Sequence, residues 1–181
     1  MQTPYVMGAV AYDPKVVTIW EGFIEYFAGR DFRFDVVMYT NYERQVEALL
    51  GGHIAAAWNS PLAWIQAERG AHKHGWRARA TVMRDTDCDL TSVVVVRADS
   101  PIRSLADLIG KTVAVGASDS PQATLIPLDE IAEGLAGRGG IDATRLLRFD
   151  VLVGKHGDHI GGERDAARAL MDGRADAACM I

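Results

Sequence analysis

The chain has 181 residues, 49% of them hydrophobic and 24% charged, with a formal net charge of −5. That is enough chain for one good core or two small lobes. The mild acidity and the lack of a Lys/Arg cluster argue against a nucleic-acid surface, and no apolar run approaches the length of a membrane span.

The opening "MQTPYVMGAVAYDPK" lacks the basic start, long apolar segment and cleavage site of a secretory signal. Two alternatives follow: a cytoplasmic protein, or a chain that begins at a mature or engineered start. Cys88 and Cys179 make no disulfide framework and no C-x-x-C pair.

Short apolar runs alternate with helical patterns, which points to an α/β architecture with largely parallel strands. Strands are expected near 5–11, 34–39 and 54–58, with helices near 14–28, 42–51 and 61–70. In the first helix Val17, Trp20, Phe23, Ile24 and Phe27 recur at three- and four-residue steps, giving one apolar face. Further strands are expected near 77–83, 91–97, 112–116, 147–153 and 176–180. Helices are expected near 104–109, 121–136 and 162–172. Ser104 is placed to cap a short helix that stops at Gly110.

An internal repeat organises these elements. "ALLGGHIAAAW" (48–58) and "ALMDGRADAACM" (169–180) both run from a helix end through glycine into an Ala-rich strand. A constant offset of 121 aligns Gly52 with Gly173, Ala56 with Ala177 and Ala57 with Ala178. "AVAYDPK" (9–15) and "AVGASDSPQ" (114–122) likewise end an apolar strand in small and polar residues before a proline. Two similar α/β lobes around a ligand cleft are therefore expected, the first at 1–89 and the second at 90–181. Ligands of open α/β sheets bind beyond the carboxyl ends of the strands, so the strand-to-helix loops are the candidate site.

Four such loops stand out. The first carries Tyr12 and Asp13. "WNSPLAW" carries Asn59 and Ser60 before Pro61, flanked by Trp58 and Trp64. "ASDSPQ" carries Ser118, Asp119 and Ser120 before Pro121. "VGKHGDHIGG" carries Lys155, His156, Asp158 and His159. A Ser-Pro pair at a helix start is explained by capping alone, with Ser as N-cap and Pro at the first helical position. Recurring hydroxyls and charges at several strand ends favour a seat for an anion or polar ligand.

Enzyme motifs are weaker. "GKT" at 110–112 lacks the earlier glycine of a phosphate-binding loop, since Leu105 stands there. No G-x-S-x-G occurs. His156 and His159 are spaced to share a metal ion, but no third ligand follows at a recognised spacing. His53, His72 and His74 sit at helix ends, where solvation suffices. No metal and no cofactor are expected.

"ADSPIRSLADLIGKTVAVGASDSPQATLIP" (98–127), "NSPLAW" and "VGKHGDHIGGERDAARALMDGRADAA" resemble the phosphate/phosphonate-type periplasmic solute-binding proteins of ABC transporters. The resemblance covers essentially the whole chain and implies the type II periplasmic-binding-protein fold. It implies a small anionic or polar ligand, an ABC-transporter permease as partner, a periplasmic or extracytoplasmic setting and no catalysis. By position it assigns Ser118, Ser120 and the N–H groups after Pro121, from Gln122 onward, to the ligand head. Tyr12, Ser60 and Trp64 are assigned from the other lobe, and His156 or His159 from the fourth loop.

Two departures follow. The family's turn is commonly Ser-Thr-Ser-Gly, and here Asp119 and Pro121 replace the second and fourth members. A carboxylate beside an oxyanion repels it unless one partner carries a proton or Asp119 turns outward. The second departure is length: Ile181 falls at the position of Ser60 under the offset of 121. The first lobe is therefore expected to be incomplete, without its closing segment. In the resembled fold the two crossovers run side by side, which makes Cys88 and Cys179 candidates for a hinge disulfide, with free thiols the alternative. Rival readings are an enzyme of menaquinone or thiamine-pyrimidine synthesis on the same fold, and a ligand-sensing module.

Overall fold

The computed structural model describes residues 3–11, 14–85, 88–150 and 162–181. They form two compact units, Met1–Val82 and Met83–Ile181, the division falling ahead of the expected residue 89.

In the first unit, β1 (Tyr5–Val10) lies centrally between β2 (Phe34–Tyr39) and β3 (Ala56–Ala57), and both pairings are parallel. Parallel neighbours need crossovers, which α1 (Lys15–Ala28) and α2 (Tyr42–Leu50) supply before α3 (Pro61–Lys73) closes the unit. Adjacent strand residues point to opposite faces. Ala9 accordingly packs with Val16, Trp20 and Phe34 on the α1 side, whereas Val10 packs with Tyr42, Val46, Ala63 and Ala67 on the other. The buried stripe of α1 is Val16, Trp20, Ile24 and Phe27. Val17 and Phe23, expected on that face, are 42% and 45% exposed. The steps of four from Val16 rotate them out.

The second unit repeats this plan. β5 (Thr112–Val115) is flanked in parallel by β6 (Arg145–Arg148) and β7 (Ala177–Met180), while β4 (Val93–Val96) joins β7 antiparallel. Four of the five strand pairings among the described residues are parallel, in keeping with the expected, largely parallel pattern. Val113, Val115, Ala177 and Cys179 point to one core with Leu108, Ile131 and Leu135. Ala114 and Ala178 point to the other, where Ala166 and Ala169 of α5 (Gly162–Met171) pack closely. Burying each large side chain of the first core contributes about 1.5–3 kcal/mol over leaving it exposed.

The repeat extends to single hydrogen bonds. Gly52 and Gly173 adopt left-handed φ of 72° and 73°. Each ends its helix in a Schellman motif: His53 N donates to Ala48 O at 2.9 Å, and Arg174 N donates to Ala169 O at 2.8 Å. The following strands match too, with Met7 opposite Ala56 and Val113 opposite Ala177.

Several expected elements change. Residues 77–84 form neither strand nor helix, and Val82 and Met83 are 76% and 64% exposed. The alternation of "RARATVM" has the strand period, but a strand requires a ladder partner, and none pairs with it among the described residues. The strand near 54–58 shrinks to β3. The strand expected near 147–153 is β6, which starts earlier and ends at Arg148; residues 149–150 are not strand, and 151–153 lie outside the described residues. The helix near 104–109 is a 3-10 turn, Leu105–Leu108. There Arg103 N, Ser104 N and Ser104 Oγ all donate to Asp107 Oδ2 at 2.9 Å. These bonds, led by that from Arg103 N, hold the Asp107 carboxyl below its ordinary range. The helix near 121–136 opens as a π turn, Pro121–Leu125, before α4 (Ile126–Gly134).

Candidate ligand-binding site

The turn after β5 is built by its own hydrogen bonds. Ser120 N donates to Ala117 O at 3.0 Å, closing "ASDS", and Ser120 Oγ accepts from Ala123 N at 3.2 Å. Pro121 follows at the first helical position. Thr124 N and Leu125 N both donate to Ser120 O, at 3.1 and 3.0 Å, which widens this first turn to π geometry. Ser92 Oγ donates to Gln122 O at 2.7 Å and anchors the turn from the segment before β4. The N–H groups of Ala123, Thr124 and Leu125 are therefore committed within the chain, although the sequence placed them toward a ligand. Ser118 is exposed, Asp119 half-buried, and Ser120 and Gln122 buried.

The turn after β3 repeats that arrangement. Ser60 Oγ accepts from Ala63 N at 3.2 Å, Trp64 N donates to Ser60 O at 2.9 Å, and Pro61 opens α3. A bound N-cap oxygen keeps its O–H free to donate. Both Ser-Pro turns are thus satisfied caps that retain a donor. Trp64 is half-buried on α3. Tyr12, Asp13, His156 and His159 lie outside the described residues. Within each unit the remaining candidates converge: Ser118, Asp119, Ser120 and Gln122 on one turn, Ser60 and Trp64 on the other.

Gln45 and Glu163 are buried polar residues near these turns that escaped sequence reasoning. Gln45 on α2 has no exposed surface, and its Nε2 donates to Trp58 O at 2.9 Å and Asn59 Oδ1 at 2.7 Å. Its spacing from Tyr42, Val46 and Leu49 places it on the apolar face of α2, a signal that was available in the sequence. Glu163, buried in the first turn of α5, stands beside Gly116 at the end of β5. Negative charge suits a helix N-terminus. Two surface hollows of about 450 and 500 Å³, near His53 and near Phe32, include none of the turn residues. No group of three metal-ligating side chains occurs among the described residues.

Cys88 and Cys179 are both free thiols, which overturns the hinge disulfide. Cys179 lies on the internal strand β7, opposite Val94 and fully buried, whereas Cys88 is exposed and its Sγ donates to Arg84 O. Burial pushes the Cys179 thiol up to about 12. Ellman titration of the native chain is expected to count one thiol, Cys88, and to count the second only in denaturant. Two fast equivalents would contradict the internal position of β7.

Solved structures with this fold place the chain in a class. It aligns over 98% of its length with PhnD1 from Prochlorococcus marinus MIT 9301, solved with methylphosphonate, at 18% identity and TM-score 0.60. It aligns over 99% with a binding protein component of an ABC phosphonate transporter from Pseudomonas aeruginosa, at 17% identity and TM-score 0.55. It also aligns over 99% with the periplasmic aliphatic sulphonate binding protein SsuA from Escherichia coli, at 17% identity and TM-score 0.54. The fold is thus that of the type II periplasmic binding proteins. The chain spans 64%, 57% and 54% of those three proteins' lengths. The model of the phosphonate family of ABC-transporter periplasmic substrate-binding proteins matches residues 8–181, and the chain belongs to that family.

Proposed function

We propose that the chain is the solute-binding component of an ABC-type transporter, taking a small oxyanion such as phosphate, phosphite or a phosphonate. The observation that carries this is the repeated Ser-Pro turn: two buried serines, each capping a helix at a strand's carboxyl end, in a chain of this family. Ser118 and Ser120 donate to the ligand head, with Ser60 as the equivalent donor of the first unit. Trp64 and the loop residues Tyr12, His156 and His159 are further ligand contacts in this reading. A transporter permease is the partner, and the working compartment is extracytoplasmic. The matched family is one of transport substrate-binding proteins rather than enzymes. No helix among the described residues is long and apolar enough to cross a membrane.

Calorimetry with phosphate, phosphite, methylphosphonate, methanesulfonate and acetate tests the reading. At least one of the phosphorus oxyanions is expected to bind, and acetate is not. A hydrogen bond to a charged group is worth about 1.5–3 kcal/mol, so Ser118→Ala/Ser120→Ala is expected to weaken binding by about ten-fold or more. Lost capping also costs about 1 kcal/mol of stability, so a thermal melt accompanies each titration. Unchanged affinity in the folded double variant would return the turn to capping alone.

A further inference from the structure

We infer that Asn59 is a ligand donor in the first unit and that Gln45 is the positioning residue that fixes which way its amide faces; this rests on the solute-binding reading above. The polarity is set by a chain of hydrogen bonds that begins at a backbone carbonyl. Trp58 O can only accept, so Gln45 must turn its amino group toward it, at 2.9 Å. The same amino group reaches Asn59 at 2.7 Å, so Asn59 must answer with Oδ1. The Asn59 amino group is thereby turned away from Gln45, and among the described residues no acceptor takes it. It stands at a half-buried position, immediately before the Ser60 cap and the N-terminus of the 13-residue helix α3. An amide locked this way presents donors only.

Gln45 is an unusual choice on stability grounds. It is fully buried, and its Oε1 has no hydrogen-bond partner among the described residues. A buried acceptor left unpaired opposes folding, and an apolar side chain of similar shape would avoid that. A Cβ on Gly8 of β1 would meet Ile54 Cδ1 at 2.5 Å and both Gln45 Cγ and Tyr39 Cε2 at 3.1 Å. Gly8 thus leaves room for the Gln45 stem as well as for Ile54 and Tyr39. A buried amide with an unpaired oxygen, spent on orienting one half-buried amide, fits a donor seat for a deprotonated oxygen of an oxyanion. A seat of this polarity discriminates against a group that can only donate.

Asn59→Asp separates the role from the packing. An aspartate keeps an oxygen for Gln45 and leaves the Ser60 cap intact, but replaces the outward donors with a carboxylate oxygen. Methylphosphonate affinity is expected to fall about thirty-fold or more, through a lost charge-assisted hydrogen bond and added repulsion, with the melting temperature little changed. Asn59→Ala is expected to lose about ten-fold and serves if the aspartate variant fails to fold. Gln45→Glu turns the polarity round: its carboxylate accepts from the Asn59 amino group, so binding falls although Asn59 is intact. A third readout follows the side-chain amide of Asn59 by NMR, whose resonances are expected to shift on adding methylphosphonate while those of Gln45 stay slow to exchange. If the parent binds methylphosphonate and folded Asn59→Asp and Asn59→Ala bind it equally well, the inference is overturned and the solute-binding reading stands. If the parent binds none of methylphosphonate, phosphate and methanesulfonate, both fall together.

Discussion

Gly162→Ala is expected to unfold the second unit under conditions where the parent chain is native. A Cβ at residue 162 would lie 2.8 Å from Ala117 N, 2.8 Å from Gly116 Cα and 3.1 Å from Gly116 C. All three atoms are backbone, at the end of the sheet's internal strand β5, so no side chain can rotate away to relieve the overlap. Gly116 is crowded in turn, since a Cβ there would meet the Ala123 Cβ at 2.9 Å. The end of β5, the start of the π turn and the start of α5 meet with no space for a methyl group. Inserting a methylene into a packed core costs about 1–3 kcal/mol where side chains can adjust, and here the backbone itself must move. Two controls set the scale. Gly173→Ala forces a left-handed φ of 73° on alanine with no atom nearer than 3.7 Å, at a cost of about 1–2 kcal/mol. Gly22 lies within α1 with nothing within 4 Å, and Gly22→Ala is expected to stabilise by about 0.5–1 kcal/mol. Thermal melts of the three variants should order as Gly22→Ala above the parent, Gly173→Ala below it, and Gly162→Ala far lowest. A Gly162→Ala melt close to the parent would mean that α5 does not start against the turn.

That junction explains how the candidate turn is held. "ASDS" is held by the Ser120 hydrogen bonds on one side and abuts the first residues of α5 on the other, which places the proposed seat at a close-packed corner of the second unit. Much of this was legible in the sequence. The Ser-Pro pairs announced both caps, and the offset of 121 announced both Schellman ends, because capping and left-handed glycine are local chemistry written in adjacent residues. What was not legible depends on distant partners. "RARATVM" has the period of a strand and lacks a neighbour to pair with. Gly116 reads as a strand end, and only the fold reveals that Gly162, 46 residues later in the chain, must touch it. The π turn arises because two N–H groups share Ser120 O, a geometry with no composition of its own. Gln45 was hidden by its type: an amide on a helix of mixed polarity reads as solvated, although its spacing from Tyr42 and Val46 marks the buried face.

Asp119→Asn is expected to reverse the pH preference of ligand binding. Asp119 sits half-buried between Ser118 and Ser120, the two proposed donors to the ligand head. Two unit charges about 4 Å apart near a protein surface repel by roughly 4 kcal/mol at an effective dielectric of 20, less when salt and solvent screen them. Asp119 already has an interaction within the chain, so the bare-charge figure is an upper limit, and in the proposed site a dianionic phosphonate is expected to lose about ten-fold or more in affinity after screening. A monoanion avoids it, since its remaining P–O–H can donate to the Asp119 carboxylate and convert repulsion into a charge-assisted hydrogen bond. The sign follows directly. The protonated ligand binds better, so methylphosphonate affinity in the parent should fall as pH rises through the ligand's second ionisation. In Asp119→Asn the carboxamide donates to the dianion, so affinity should hold or rise over the same range, exceeding the parent by about ten-fold or more at the alkaline end. Methanesulfonate has no second proton to give. It should bind the parent more weakly than methylphosphonate does at low pH, with a flat pH profile, and Asp119→Asn should narrow that gap. Calorimetric titrations of both ligands across the pH range, on both chains, decide the matter. Parallel methylphosphonate profiles for the parent and Asp119→Asn would show that the carboxylate points away from the seat, and would leave Ser118 and Ser120 to select the ligand without it.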